Sequence, residues 1–232
     1  WANWHKGFTL DDFKGHSPAD IAASAQLQAE YEIEMLVQKA VPWGKNLCYA
    51  GGVALNCVAN SKILHNYFDN VWIYPNPGDA GSSLGAALGH TREHVNYSPY
   101  LGTNIDNQIN PREVVDYILK KKVVGIANGK AEFGPRALGN RSLFANPTGL
   151  EMKDLVNKIK KRQEFRPFAP VILEEHVQSY FDMPVNQPTS RYMQVVATCR
   201  YPKRYPAIVH VDGTSRVQTV PADNSGIRKL LE

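Results

Sequence analysis

The chain has 232 residues, of which 43% are hydrophobic and 21% are charged. This balance is typical of a folded globular protein, and it excludes a disordered, collagen-like or coiled-coil chain. The formal net charge of +4 is unevenly distributed. Residues 1–100 carry six Lys and Arg against nine Asp and Glu, whereas residues 101–232 carry 20 against 13. The second part is therefore the part that we expect to bind anions.

Other features of the composition bear on the setting of the protein. No apolar run approaches the roughly 20 residues of a membrane span, and no signal peptide is recognisable. The three cysteines form no CxxC pair, which favours a reduced, cytoplasmic protein over a disulfide or thiol-zinc protein. Because the chain starts at Trp1 rather than Met, we expect it to be part of a longer protein.

The first hundred residues show the alternation of helices and strands that is typical of an α/β fold. Ser17 followed by Pro18 and an early acid is a helix start, and it predicts a helix that runs to about Lys39. The pattern then predicts, in chain order, a strand over 46–50, a helix over 58–68, a strand over 71–74 and a helix over 80–94.

A stretch rich in Asn, Pro, Gly and Tyr over 95–110 predicts a domain boundary. We therefore divide the chain into a first domain at 1–98, a linker at 99–110 and a second domain at 111–232. The second domain is predicted to contain both helices and strands. Its predicted helices cover 111–119 and 150–161, and its predicted strands cover 123–127, 168–173, 192–198, 207–211 and 216–220.

Two local signals stand near the end of the chain. Asp212-Gly213 lies between the last two predicted strands and is typical of a hairpin turn. The final segment from Ile227 is predicted to form a short helix, for which Asp223, Asn224 or Ser225 could be the N-cap.

The densest candidate site is the segment Gly129–Ser142, in which three glycines and a proline surround Arg136 and Arg141. Arginine binds phosphate or carboxylate through two parallel hydrogen bonds. An ordinary loop with two solvated arginines is the alternative. We favour anion binding, because so many conformationally special residues are costly unless their geometry is used.

A second cationic stretch covers Lys158–Phe168 and includes Lys160 and Arg166. A basic helix face is usually only solvated, and basic residues mixed with aromatic ones also suggest nucleic-acid binding. Because the following prolines and aromatics would hold Arg166 in place, we favour a small, highly charged anion such as a phosphate. Arg216, after the Asp-Gly turn, could add one more contact.

Two turns of the first domain are candidate ligand sites. Gly51 and Gly52, followed by Asn56, lie between a strand and a helix, where a nucleotide could approach backbone N–H groups. A tight turn explains the same glycines. Asp79 also lies at a strand-to-helix turn, where it could be an N-cap, a metal ligand or a ribose contact.

Residues His90 to His94 match the H-x-x-E-H pattern of inverted zinc peptidases. No third ligand stands out downstream, and histidine is favoured at a helix C-terminus by the dipole. We therefore do not expect a metal there.

Taken together, six passages resemble the O-carbamoyltransferases, the family that includes nodulation and antibiotic-tailoring carbamoyltransferases. The passages are Gly-Gly-Val-Ala-Leu-Asn at 51–56, Pro-Gly-Asp-Ala-Gly at 77–81, Glu-Phe-Gly-Pro-Arg-Ala-Leu-Gly-Asn-Arg-Ser at 132–142, Lys-x-Arg-x-x-Phe-Arg-Pro-Phe-Ala-Pro at 160–170, Ser-Arg-Tyr-Met at 190–193 and His-Val-Asp-Gly-Thr-x-Arg-x-Gln-Thr-Val at 210–220. They occur in the family's order over roughly 45–232.

The resemblance implies two modules. The first domain would be the second half of an actin- and hexokinase-like domain, and the second an incomplete YrdC-like α/β domain. The YrdC-like domain would join carbamoyl phosphate to ATP, giving carbamoyl adenylate and pyrophosphate. The carbamoyl group would then pass to a hydroxyl of a small-molecule acceptor at the first domain, aided by an iron-type metal, with Mg accompanying ATP.

The resemblance also implies roles for individual residues. Arg136, Arg141, Lys160 and Arg166, with Arg216 as a weaker member, would hold carbamoyl phosphate and the ATP phosphates, and Arg136, Lys160 and Arg166 would be catalytic. Gly51, Gly52 and Asn56 would contact adenosine. Asp79 would bind the metal.

The chain also departs from this family. Family members are more than twice as long, and their metal-binding histidine pair would precede Trp1. We therefore expect this chain alone to be inactive, and to expose an apolar surface through which it could form a homodimer. A tRNA threonylcarbamoyl transferase and a non-catalytic RNA-binding module remain alternatives, although we do not expect nucleic acid to be the partner.

Overall fold

The computed structural model describes residues 7, 9–106, 109–120, 123–184, 187–223 and 225–232. Its helices are α1 Pro18–Ala40, α2 Cys57–Ala59, α3 His65–Tyr67, α4 Asp79–Thr91, α5 Pro111–Leu119, α6 Leu150–Ile159, α7 Val177–Tyr180 and α8 Gly226–Leu231. Its strands are β1 Asn46–Tyr49, β2 Asn70–Ile73, β3 Asn104–Ile105, β4 Val124–Ala127, β5 Gly129–Lys130, β6 Arg141–Phe144, β7 Val171–Leu173, β8 Phe181–Asp182, β9 Ala197–Cys199, β10 Thr214–Ser215 and β11 Gln218–Val220. The mixed α/β fold class is confirmed.

The first helix begins where the sequence predicts. The Ser17 hydroxyl accepts a hydrogen bond from the Asp20 amide at 3.1 Å, and Pro18 is the first helical residue. The inner face of α1 buries Ile33 and Val37 against a core that includes Leu64. Because capping satisfies one of the free N–H groups of the first turn, it fixes where this helix starts.

Replacing Ser17 by alanine is expected to lower the free energy of unfolding by about 1 kcal/mol, because the Asp20 amide loses its acceptor. Urea unfolding followed by circular dichroism measures the change. Ser82→Ala in the interior of α4 is the matched control, since alanine there only raises helix propensity. Equal unfolding midpoints for wild type and Ser17→Ala would contradict the capping role.

A two-stranded parallel sheet organises the first part of the chain. In it β1 and β2 pair in register, with Cys48 opposite Trp72. The inner side chains of both strands join the core, whereas Cys48 and Trp72 are exposed. The two strands point the same way, so the loops that follow them meet at one edge of the sheet.

The helix predicted over 58–68 forms as a helical run that is not a single α-helix. A π-helical segment, Asn60–Leu64, lies between α2 and α3. Such π segments occur often at functional sites. The side chain of Asn60, which is fully buried, donates from Nδ2 to the carbonyls of Ala54 and Gln194 at 2.9 and 3.0 Å.

The second part of the chain is built from several small sheets. Strands β4 and β6 are antiparallel, β7 and β11 are parallel, β3 pairs with β5, and β8, β9 and β10 form an antiparallel sheet of three strands. Three small buried clusters fill the spaces between them. Strand β3 lies within the predicted linker 99–110, and the division of the chain into domains stays a prediction.

The hairpin predicted around Asp212-Gly213 is wrong. The first strand predicted for it, 207–211, is replaced by a 3₁₀ turn at Pro206–Ile208. The second forms as β11 and pairs with β7, while β10, in the turn region, pairs with β9. The turn itself is present, because Asp212 Oδ1 accepts from the amide and hydroxyl of Thr214. The local turn chemistry is therefore correct, and the strand partners are set by contacts distant in sequence.

Other element boundaries also differ from the predictions. The strand predicted over 192–198 is reduced to Ala197–Cys199. Helix α4 ends at Thr91, because Arg92 adopts a left-handed conformation with φ of 57°. Of the three predicted caps of the last helix, Ser225 is the one that accepts a hydrogen bond, from the amide of Arg228, and Asn224 lies outside the described residues.

The two parts of the chain are in direct contact through the segment 190–196. The Gln194 side chain donates to the Ile73 carbonyl at 2.6 Å, and the Val196 amide donates to the Ser61 hydroxyl at 2.8 Å. Within the described ranges, no helix combines the length and apolar character needed to cross a membrane.

Candidate functional site

The loop that follows β5 carries Arg136 on a constrained backbone. One oxygen of the Glu132 carboxylate accepts from the amides of Leu138, Asn140 and Arg141 at 2.7, 2.9 and 3.3 Å. Gly139 in the same loop has φ of +119°, and a Cβ there would lie 2.7 Å from the Ile227 side chain. The sequence therefore folds this segment into one defined shape.

Arg136 lines a cavity of about 460 Å³ in the second part of the chain. Four cationic side chains line it: Arg136, Lys160, Arg162 and Arg216. Among the described residues that line the cavity, none is acidic. Much of the remaining wall is apolar and comes from α5, α6, α8, β6 and β7. The cavity thus combines a cationic lining with hydrophobic walls.

The arginine side chains that line the cavity are partly buried, and their positive charges repel one another. Burial lowers the pKa of Arg136, and the charge of Arg216 lowers it further. Burial also lowers the pKa of Arg162, to which the charges of Arg166 and Arg216 contribute. Both shifts disfavour the charged form, so an anion between these groups would relieve the repulsion and replace lost hydration.

Arg216 has an unmet hydrogen-bonding group. Its Nε is buried and finds no hydrogen-bond partner within the described part of the chain. Leaving such a buried donor unpaired costs about 1–3 kcal/mol, and more for a charged group. An anionic ligand in the cavity would supply the missing acceptor.

Arg162 also lines the cavity, although it is not among the predicted anion ligands. Its Nε donates to Asn157 Oδ1 at 2.5 Å, and its guanidinium lies 4.2 Å from the centre of the Phe168 ring. Asn157 is fully buried and also donates to the carbonyls of Glu164 and Arg166. A signal was available, because Arg162 is the first arginine of the passage Lys-x-Arg-x-x-Phe-Arg at 160–166.

Two predicted anion ligands do not line the cavity. The Arg141 guanidinium donates instead to the carbonyls of Thr103, Asn128, Gly129 and Asn140, at 2.7 to 3.2 Å. Arg166 is exposed, and its charge contributes to the lowered pKa of Arg162. The structure thus joins Arg136, Lys160 and Arg216 in one cavity, and the ligand roles of all five residues stay predictions.

The candidate nucleotide residues lie at the carboxyl edge of the β1–β2 sheet. The Gly51 amide donates to the Pro77 carbonyl at 2.8 Å, which joins the two loops. The side-chain amides of Asn56 and Gln26 donate hydrogen bonds to each other. Asn56 Oδ1 also caps α2 by accepting from the backbone amide of Ala59. The Asn56 side chain therefore has structural partners already, and its contact with a nucleotide stays a prediction.

Asp79 is exposed and is the first residue of α4, preceded by Gly78 at the cap position. The alternative that Asp79 is the N-cap is therefore wrong. In the described ranges, no group of three or more His, Cys, Asp or Glu side chains could hold a metal ion. A single exposed carboxylate does not fit an iron-type metal on its own, and we assign no reaction step to a metal.

Arg136 stands where the two parts of the chain meet. With Met193 it also lines a second, very small pocket of about 10 Å³, whose other walls include Leu55, Pro75 and Pro77. These last residues belong to the loops at the carboxyl edge of the sheet. The cationic cavity and that edge are therefore adjacent through Arg136 and Met193.

Comparison with known proteins gives the family. Residues 6–88 match the family model described as Carbamoyltransferase N-terminus, and residues 115–232 match Carbamoyltransferase C-terminus. Nodulation protein NolO of Bradyrhizobium diazoefficiens is 38% identical over 75% of this chain and 37% of its own length. Nodulation protein U of Sinorhizobium fredii is 34% identical over 88% of this chain and 40% of its own length.

An uncharacterized protein of Synechocystis is 36% identical over 91% of this chain and 44% of its own length. The chain thus spans less than half the length of these relatives. The two family models together cover most of its residues, including the loop of Arg136 and the cavity. On these matches, the chain belongs to the carbamoyltransferase family.

Proposed function

We propose that the cation-lined cavity binds carbamoyl phosphate together with the phosphates of ATP, as part of an enzyme that carbamoylates a hydroxyl of a small molecule. The observation that carries the proposal is the buried, unpartnered Nε of Arg216 among three further cations, with no acidic residue described in the lining. A small multivalent anion is the ligand that such a lining fits best.

The proposed chemistry is activation of the carbamoyl group by adenylation. Water releases inorganic phosphate from carbamoyl phosphate, and an oxygen of the resulting carbamate attacks the α-phosphorus of ATP as pyrophosphate leaves. The product is carbamoyl adenylate, whose carbonyl carbon then accepts the attacking hydroxyl as AMP departs. All attacking groups belong to the substrates or to water, so the protein needs no nucleophile of its own.

The contribution of this chain is electrostatic preorganisation. Arg136, Arg162 and Arg216 are partly buried and held close together before any ligand arrives. Cations fixed in advance stabilise a crowded anionic transition state without the cost of reorganising solvent. The apolar walls of the cavity lower the local polarity, so charge interactions there are stronger than in bulk water.

The rest of the proposed enzyme follows the family resemblance. We propose an actin-like module for the first part, where Gly51, Gly52 and Asn56 contact adenosine and Asp79 contributes to a metal site completed by other residues. A YrdC-like module would form the second part, with Mg bound to ATP. Turnover would require the further polypeptide that the longer relatives possess.

Isothermal titration of the chain with carbamoyl phosphate tests the proposal. We expect saturable binding at one site, competition by pyrophosphate, and affinity about tenfold lower in Arg136→Ala, because one charge-assisted contact is lost. Arg204→Ala, on the surface beside Tyr205, is the matched control and should bind as wild type does.

The alternative of an RNA-binding module is tested with a labelled single-stranded RNA under the same salt conditions. The proposal would be overturned if wild type bound RNA but not carbamoyl phosphate, and if Arg166→Ala lost the RNA binding. Weak RNA binding with the same affinity in wild type and Arg136→Ala would support it, because the cavity would then not be the RNA site.

A further inference from the structure

We infer that Glu132 is the positioning residue that sets Arg136 in the cation-lined cavity. The inference rests on the proposed function, because it concerns how the cavity comes to bind an anion. Glu132 does not line the cavity itself. Its action is therefore indirect and passes through the backbone of the loop that carries Arg136.

The hydrogen bonds of Glu132 close this loop around Arg136. The carboxylate lies four residues before Arg136, and its Oε1 accepts from the amides of Leu138, Asn140 and Arg141, which all follow Arg136. One side chain thus ties together the two ends of the segment. Bonds of this kind to an ionised carboxylate are stronger than neutral ones.

At the end of the loop that follows Arg136, the backbone carbonyl of Leu138 is also held by hydrogen bonds. The Leu138 carbonyl accepts from Gln218 Nε2 at 3.0 Å and from the Tyr100 hydroxyl at 3.2 Å. Burial first, and the charge of Glu132 second, raise the pKa of Tyr100 to about 12, so its hydroxyl remains a donor even in moderately alkaline solution. Because Gln218 is buried and lines the cavity, this bond ties the loop to the cavity wall.

These contacts give Glu132 a role that a general stabilising residue would not have. If the carboxylate only stabilised the protein, its loss would lower stability and leave the anion affinity of the folded protein unchanged. If it positions Arg136, its loss removes the contribution of Arg136 and no other. The two possibilities differ in whether the effects of two substitutions add.

The test is a double-mutant cycle on the binding of inorganic phosphate, measured by isothermal titration. Glu132→Ala and Arg136→Ala are each expected to weaken binding about tenfold, and the double variant is expected to bind no more weakly than Arg136→Ala alone. Combined with Arg162→Ala, which lies on another segment, Glu132→Ala should add its full effect. Glu132→Gln keeps one acceptor oxygen and should restore most of the affinity.

Circular dichroism shows whether each variant is folded. Should Glu132→Ala fail to fold, the cycle is run with Glu132→Asp, which keeps the charge but is one methylene too short to reach all three amides. Effects of Glu132 and Arg136 that add fully, or phosphate affinity unchanged in folded Glu132→Ala or Glu132→Asp, would overturn the inference, while phosphate binding by wild type upholds the proposed function. No phosphate binding by wild type would overturn both.

Discussion

Replacing Arg216 by alanine is expected to weaken the binding of carbamoyl phosphate by about 2 kcal/mol, roughly thirtyfold, and to leave the ligand-free protein no less stable than wild type. The loss of affinity follows from the buried Nε of Arg216, which has no acceptor among the described residues and is free to serve a ligand. Its charge also lowers the pKa values of Arg136 and Arg162, so all three guanidinium groups are close enough to interact.

It is unusual to expect that the loss of a partly buried arginine leaves stability unchanged or raised. Truncating a partly buried arginine normally costs stability, because packing and hydrogen bonds are lost. Here the truncation removes a buried unpaired donor and relieves repulsion on Arg136 and Arg162, and it enlarges an existing cavity rather than creating one. Sites built for a charged ligand commonly carry such a cost in the ligand-free state.

Two measurements test the expected stability and the expected affinity of Arg216→Ala. Thermal unfolding without ligand should give Arg216→Ala a midpoint equal to or above that of wild type, and titration should show its weaker binding of carbamoyl phosphate. Adding saturating ligand should then raise the midpoint of wild type more than that of the variant. Arg204→Ala removes an arginine charge outside the cavity and should leave the affinity for carbamoyl phosphate unchanged. Wild-type affinity in Arg216→Ala would remove this residue from the site.

The elements that were predicted correctly are those whose signals are local. The start of α1 is set by Ser17, Pro18 and Asp20, which all lie within four consecutive residues. The two apolar runs that form β1 and β2 are too short to be helices. The hairpin around Asp212 failed although its turn formed. Partner choice for β10 and β11 depends on β9 and β7, which are far away in sequence.

The candidate site was predictable in composition and less so in geometry. The three glycines and the proline around Arg136 indicated a loop with a defined conformation that could bind an anion. Arg136 does line the cavity with Lys160 and Arg216. Arg141 carries the same chemical signal, yet its guanidinium faces carbonyls contributed by four residues, among them Thr103. Only the folded chain brings those carbonyls together, so sequence could not distinguish the two arginines.

Glu132 shows the converse limit. A glutamate in a loop carries no sign that three amides will converge on one of its oxygens, because those amides belong to residues six to nine positions later. Arg162 is a fixed arginine of the passage at 160–170, but the passage alone does not indicate that its guanidinium lines the cavity. Which member of a basic run turns inward is decided by Asn157 and Phe168, and not by the run itself.

The largest expected effect on stability is that of Gly81→Ala in α4. A Cβ at Gly81 would lie 2.0 Å from the Asn76 carbonyl oxygen and 2.7 Å from the Tyr74 ring. The first of these atoms belongs to the backbone of a buried residue, so it cannot move aside as a flexible side chain would. We expect Gly81→Ala to cost about 3 kcal/mol, the upper part of the range for overpacking.

Gly85, one helical turn later, is the matched control for this substitution. A Cβ at Gly85 meets nothing within 4 Å of the described structure, so alanine there should instead stabilise the helix by about 1 kcal/mol. The same change on the same helix is thus expected to act in opposite directions. Urea unfolding of both variants decides the matter. Stabilisation by Gly81→Ala would mean that α4 does not approach the 74–76 loop as closely as described, and the loop leading to Asp79 would then be placed differently as well.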